Sequence, residues 1–371
     1  MADSQARGSE TTHIKYGDDS GNVVPIKSDL KMLTLVTGAG GFLGGYITDA
    51  LLKRGDSVRT ICRGNYPELE KRGVEIYHAD LAKADRPDQF DALKRACEGV
   101  ETVFHVAAIS GIGEPWERYF QTNTRGTEML LKAAREQGVR KFVFTSSPSV
   151  TFAGEDQINV DESAPYPTEW LAHYPHSKAL AEQMVLEANG VGGMLTCALR
   201  PHLIWGPRDK ALIPRLIQRA KSGRLRRVGD GKNLIDMIFA TNAADAHLQA
   251  ADALVEGSPV CGSAYFLSQG EPVNCWDWID ELLAIYDLPP VQKSISFGAA
   301  RRIGSVCETV WKIFRWESDP PMTRFLASQL ALSHYFNIDR ARRDFGYVPK
   351  ISKEEGMAAL RAEYLEKFAK K

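Results

Sequence analysis

Tyr174 and Lys178 stand four residues apart in "WLAHYPHSKALAE", residues 170–182. At the start of a helix this spacing puts a phenol and an ammonium on one face, about one turn apart. A free tyrosine ionises only near pH 10, too high to trade protons readily at neutral pH. A cation one turn away favours the phenolate and brings that value down. Such a phenol can give a proton to a carbonyl oxygen, or take one from an alcohol, while hydride moves at the adjacent carbon. Pro175 fits the placement, because proline is tolerated in the first turn of a helix. Tyr and Lys at this spacing also arise by chance, so the pair needs a third group. "KFVFTSSPSV", residues 141–150, ends an apolar strand in hydroxyls that can hold a substrate oxygen and share its developing charge. Ser147 is the choice there and Ser146 the runner-up.

Hydride needs a carrier, and "LTLVTGAGGFLGGYITDALLKRG" offers a place for one. Glycines fall at 38, 41 and 44, directly after one strand and opening one helix. The spacing is one residue longer than the usual dinucleotide fingerprint, but the physics is shared: a tight turn, close backbone approach to a pyrophosphate, and free N–H groups at Phe42 and Leu43. An oxidised nicotinamide bound there would add its positive charge to that of Lys178. The second strand should end on a residue that reads the adenosine ribose. It ends in "TICRGNYPE", with Arg63 and no carboxylate before Glu68. A guanidinium suits a 2'-phosphate in charge and in shape, so NADP(H) is favoured over NAD(H). The alternative is that Arg63 stacks on the adenine or faces solvent. Asp80, with Leu81 beside it in "HADLAK", is a candidate partner for the adenine, or a loop carboxylate that caps the next segment.

The elements that must position these groups alternate along the chain. "MLTLVT", "SVRTIC", "VEIYHAD", "ETVFHVAA", "KFVFTSS" and "LTCALRP" are short apolar strands, separated by helical stretches such as "PDQFDALKRACEG" and "TRGTEMLLKAAREQG". Almost wholly apolar strands alternating with helices predict an α/β fold with a doubly wound parallel sheet, a Rossmann arrangement that binds ligands at its carboxyl edge. "LIDMIFATNAADAHLQAADAL" reads as one more strand and helix, and the remainder as short helices and loops. The expected organisation is a tail over 1–31, a dinucleotide-binding domain over 32–205 and 234–268, and a smaller substrate-binding lobe over 206–233 and 269–371.

Composition narrows the partners. A net charge of -1 gives no long-range pull toward nucleic acid. The six cysteines are scattered, without a C-x-x-C pair, which suits free thiols in a reducing, cytoplasmic setting better than a disulfide framework or a metal site. Residues 1–30 are polar and read as a loose tail, not a secretory signal. No run approaches the ~18 apolar residues of a membrane span.

In order along the chain, "TGAGGFLG", "ADL", "VFHVAA", "TNTRGT", "TSSPSV", "YPHSK" and "LRPHLIWGP" resemble the extended short-chain dehydrogenase/reductase family, and within it the 3β-hydroxysteroid and sterol-4-carboxylate dehydrogenase branch. The likeness covers about residues 32–365. It implies Ser147, Tyr174 and Lys178 as the catalytic triad and Gly38, Gly41 and Gly44 at the pyrophosphate. It also implies Ala107 and Ala108 along the cofactor, Asn123 in the helix beside the site, and Pro201 against the nicotinamide. Homodimers paired through the helices near residues 125 and 180 are a habit of the family. "RGNYPELEKRGVEIYHADLA", "FGAARRIGSVCETVW" and "ARRDFGYVPKIS" are similar to bacterial reductases of 2-alkyl-3-ketoalkanoic acids, which implies a bulky hydrophobic substrate with a 3-keto or 3-hydroxy group. A sugar-nucleotide epimerase or dehydratase is the more distant alternative, since Ser147 leads into Pro148 and Ser149 and not into an acid pair.

Two remaining signals have plain readings. "KSGRLRRVGDGK" is basic but lacks interleaved aromatics, so it reads as a solvated face or a grip on a substrate carboxylate. Residues 299–316 are amphipathic, with Trp311, Phe314 and Trp316 beside basic residues; a lid or packing helix is expected, with peripheral membrane contact as the alternative.

Overall fold

The computed structural model describes residues 32–314 and 320–369. The expected tail and Trp316 lie outside them. Seven strands form one parallel sheet: β1 (Leu33–Thr37), β2 (Ser57–Cys62), β3 (Glu75–His78), β4 (Thr102–His105), β5 (Lys141–Thr145), β6 (Leu195–Pro201) and β7 (Ser263–Leu267). Their order across the sheet is β7-β6-β5-β4-β1-β2-β3. The strand order therefore reverses between β1 and β4, and a doubly wound sheet opens its ligand crevice at such a point.

Helices cover both faces: α1 (Phe42–Arg54), α2 (Pro87–Cys97), α3 (Gly126–Glu136), α4 (His173–Glu187) and α5 (Ala240–Ala253). Side chains alternate across a strand, so neighbours enter different cores. Val36 and Val143 join Ile47, Leu51 and Ala250 on the face of α1 and α5. Leu35, Phe142 and Phe144 join Leu93, Leu130 and Val185 on the face of α2, α3 and α4. The continuous apolar strands of the sequence are what burial on both faces requires. α1 stops at Gly55, whose φ of 96° turns its N–H back to the carbonyls of Leu51 and Leu52.

Two segments differ from expectation. β7 lies within a stretch that sequence patterning leaves as mixed helices and loops, and it pairs along β6 from Ser263 with Cys197 to Leu267 with Pro201. The single strand expected before α5 is two separate pairs of residues. Leu234–Ile235 joins a small sheet with Val273–Asn274 and His334–Phe336, whereas Ile238–Phe239 pairs with Ile204–Trp205. Asp236 causes the break: it is fully buried, and its carboxylate accepts the Phe336 N–H at 2.8 Å. A third core, around Trp205, Trp276, Trp278 and Leu282, fills the region after β6. There α6 (Phe297–Phe314) packs through Ala300 and Gly304 onto α7 (Arg324–Ala331), and Ile303, Val306 and Ile313 stay exposed.

Candidate active site

The glycine loop turns at the carboxyl end of β1. Gly38 has φ +77°, and a Cβ there would sit 3.1 Å from Cα of Ala107, so the end of β4 closes directly on the loop. The Gly41 N–H donates to the Gly38 carbonyl at 2.8 Å. A Cβ at Gly44 would run into that same carbonyl oxygen, which fixes the first turn of α1 beside the strand end. Gly41 at the N-cap brings no side-chain acceptor, and the first turn holds no carboxylate. The free N–H groups of α1 therefore meet an anion without competition, and this cradle fits the pyrophosphate of a dinucleotide.

Around it, Arg63 is exposed just past the end of β2, with no hydrogen bond or ion pair among the described residues. The Tyr66 ring lies over Gly40, so closely that a Cβ at Gly40 would fall against its ring atoms. Asp80 performs the capping that the sequence left as its alternative: Oδ1 accepts the Ala82 N–H at 3.1 Å. Leu81 is buried, and its backbone packs on Gly126.

Ser147 follows β5 and caps a short helical turn, Pro148–Thr151; its hydroxyl lies 2.8 Å from that of Ser149. It also stands near enough to the Tyr174 side chain to favour the ionised phenol. Ser146 differs from its neighbour, being buried with an unpartnered hydroxyl. Ser147, Ser149, Phe152, Tyr174, Pro201 and Phe336 all line one cavity of about 210 Å³.

Lys178 is 2 % exposed, and its Nζ donates to the Thr145 carbonyl at 2.6 Å, 3.9 Å from the centre of the Phe144 ring. Burial brings its pKa down to about 7, with Glu182 one turn on pulling the other way. Burial also raises the Tyr174 phenol above its ordinary value, and the nearby Ser147 hydroxyl offsets this only in part. The acidified phenol expected from the sequence counts an oxidised nicotinamide beside it as well as Lys178. In the chain by itself the ammonium reaches across to the Thr145 carbonyl of β5, and the phenol stands protonated at neutral pH.

Buried hydrogen bonds hold these elements in place. The Thr37 hydroxyl accepts the N–H groups of Val106 and Ala107 at 3.1 and 3.0 Å, so its own proton goes to His105 Nδ1 at 2.7 Å. His105 Nε2–H then donates to the Thr127 hydroxyl at 2.8 Å, which donates to the Asn123 carbonyl at 2.6 Å. This chain fixes one neutral tautomer of His105, whose pKa burial and the nearby Lys178 push down to about 3. Asn123 sits in a π-helical stretch, Phe120–Arg125, and binds Ile109 and Ser177; Ser177 donates in turn to the Tyr174 carbonyl at 2.8 Å.

Comparison with known proteins agrees with this geometry. The model of the 3-beta hydroxysteroid dehydrogenase/isomerase family matches residues 35–297. The chain belongs to this family. It is similar to the 2-alkyl-3-oxoalkanoate reductases of Stenotrophomonas maltophilia (strain K279a), 45% identical over 89% of this chain and 99% of the relative, and of Shewanella oneidensis, 43% identical over 88% and 85%. Among solved structures, the crystal structure of gox2253 superposes with a TM-score of 0.72 at 25% identity, over 90% of this chain and 98% of that one.

In this member of the 3-beta hydroxysteroid dehydrogenase/isomerase family, Gly38, Gly41, Gly44 and Ala107 meet at the cradle, and Ser147, Tyr174 and Pro201 meet at the cavity, with Lys178 behind them. Ala108 is exposed beside the cradle, and the Asn123 amide is committed to the protein itself. Sequence reasoning did not single out Thr37, His105, Thr127 or Tyr66, nor the paired His202 and His334. The buried histidine ending "TVFH" was the visible signal for the first network. Nothing local marks the pair, whose members are 132 positions apart.

Proposed function

We propose that this chain is an NADPH-dependent ketoreductase that converts a 2-alkyl-3-ketoalkanoate into the corresponding 3-hydroxy acid. The observation that carries the reading is that Ser147 and Tyr174 line one largely apolar cavity at the carboxyl edge of the sheet. The similarity to 2-alkyl-3-oxoalkanoate reductases supports the substrate class. The uncommitted Arg63 supports NADPH over NADH. Residues 32–205 and 234–268 then serve the cofactor, and 206–233 and 269–371 the substrate.

A reduced nicotinamide held at the cradle would supply the hydride for the carbonyl carbon. Ser147 orients the carbonyl oxygen by a hydrogen bond, and Tyr174 gives that oxygen its proton. A phenol held above its ordinary pKa arrives at neutral pH with the proton this direction needs. Ser147 stabilises the phenolate left behind. Lys178, fixed by the Thr145 carbonyl, holds the nicotinamide ribose and places a cation behind the site. The description of the family favours one second reading, oxidation of a 3β-hydroxysteroid or sterol-4-carboxylate by the same groups run backwards.

The test sets racemic 2-alkyl-3-hydroxy acids against 3β-hydroxysteroids, each with NADP and NAD. Turnover of the acids with NADP is the expected result; steroid turnover alone selects the second reading. Tyr174→Phe should still bind coenzyme and lose about a thousandfold in kcat. Unchanged turnover in that variant eliminates the mechanism.

A further inference from the structure

Among the described residues, the cavity that receives the proposed substrate is lined by no lysine, arginine, aspartate or glutamate. A 2-alkyl-3-ketoalkanoate nevertheless brings a carboxylate into it, and an anion taken from water into an apolar space needs a charged or strongly polarised donor. Most polar groups of the lining are already engaged. Ser147 and Ser149 bond each other, and the Gln157 amide donates to the Thr151 carbonyl and hydroxyl at 3.1 and 3.0 Å.

Besides the neutral Gln329 amide and the Tyr174 phenol, two histidines remain, His202 directly after β6 and His334 at the start of the strand His334–Phe336. They line the same cavity, 8 % and 2 % exposed. His334 Nε2 lies 2.8 Å from the Gln329 carbonyl, which can only accept, so that nitrogen carries a proton. In the neutral ring His334 Nδ1 is then an acceptor, and His202 Nε2–H donates to it at 2.7 Å. This leaves His202 Nδ1 without a partner among the described residues.

We propose that the His202–His334 pair is the carboxylate subsite of this cavity. The inference rests on the reading of the chain as a reductase of 3-keto acids. One proton added at His202 Nδ1 turns the pair into a cation whose new N–H faces the cavity, while His334 and the Gln329 carbonyl hold the ring in place. A substrate carboxylate accepts that N–H in a charge-assisted bond. Without substrate the pair stays neutral, because burial disfavours a charge on either ring. The acid is therefore bound together with a proton. The ionisable groups about the pair are few. Tyr174 lines the same cavity. Asp156 accepts the Ser333 N–H at 2.7 Å and draws the His334 value upward. Asp236 donates its N–H to the His334 carbonyl, and burial pushes its carboxyl up to about 6. None of the three replaces the missing cation.

The experiment uses the full chain with NADP, and 2-butyl-3-hydroxyoctanoate against its methyl ester. For the wild-type enzyme, KM of the acid should rise about tenfold or more between about pH 6.5 and about pH 9, with kcat following the ester's profile, because uptake of a proton affects binding of the anion alone. The ester's KM should show no such rise. His202→Gln should lower the acid-over-ester ratio of kcat/KM about tenfold, the value of one charge-assisted hydrogen bond. Equal response of acid and ester, to pH and to the substitution alike, overturns the subsite while leaving the reductase reading intact. No turnover of either compound overturns the reductase reading and the subsite with it. The wild-type comparison decides even where the variant does not fold.

Discussion

The Asn123 side chain accepts the Ile109 N–H at 2.8 Å and donates to the Ile109 carbonyl and the Ser177 hydroxyl at 2.9 and 3.1 Å. It is 1 % exposed, so none of these bonds can pass to bulk water. One amide thus ties the loop after β4, which borders the cavity through Gly111 and Ile112, to the first turn of α4, where Tyr174 sits. Asn123→Leu keeps the volume and removes all three bonds, leaving two part-buried backbone groups of Ile109 without that partner. Each such group costs about 1–3 kcal/mol. Urea denaturation should therefore show a loss of about 2 kcal/mol or more, with kcat lowered as Tyr174 loosens. A residue that contacted the coenzyme directly would behave differently, giving unchanged stability and weaker coenzyme binding. That outcome would remove the positioning role.

At the scale of elements, neighbouring glycines in α1 separate two demands. Helix propensity alone favours alanine over glycine by about 1 kcal/mol at either position. A Cβ at Gly45 meets only the Ala39 carbonyl, at an ordinary 3.5 Å, whereas one at Gly44 collides with the Gly38 carbonyl. Gly45→Ala should leave coenzyme affinity unchanged and raise stability by about 0.5–1 kcal/mol. Gly44→Ala should push α1 off the loop and weaken coenzyme binding about tenfold or more, read by fluorescence titration. Equal effects at the two positions would mean that the close approach is unimportant. The glycine spacing and the six strands β1 to β6 were legible because each is a local pattern: a run of apolar residues, then a turn that needs small ones. β7 has the same character in "SAYFL", but it follows a loop and precedes "SQGEPVN", with no helical stretch at once on its far side to complete the alternation. The divided strand at 234–239 was illegible for another reason. Asp236 looks like a polar residue on an open face, and only its bond to Phe336, exactly 100 positions later, explains its burial. Tyr174 and Lys178 could be found from four-residue spacing, but the direction in which the lysine points depends on β5, a different element.

For the molecule as a whole, Lys178 sets function against stability. An ammonium with 2 % exposure and no carboxylate bonded to it is a cost of folding, offset in part by the Thr145 carbonyl and the Phe144 ring. Its pKa falls to about 7 in the folded chain, from 10.5 as an ordinary lysine. Between those values the unfolded chain holds a proton that the folded chain has lost, so stability rises with pH across the window, by at most about 1.4 kcal/mol per unit. Below about pH 7 both states are protonated, and the cost is present in full. Lys178→Met keeps a similar length, fills the same space and carries no charge. It should abolish turnover and yet stabilise the fold by ~1–2 kcal/mol near neutral pH, as expected where an active-site group is held against its own preference. Other ionisable groups contribute to the pH dependence of both proteins, so the informative quantity is the difference between them. Urea denaturation at intervals from about pH 6.5 to about pH 9.5 should show that difference constant at the acidic end and shrinking above neutrality. A gap that widened with pH, or a variant less stable at every pH, would mean that Lys178 is a net support of the fold and that its burial has been compensated by its surroundings.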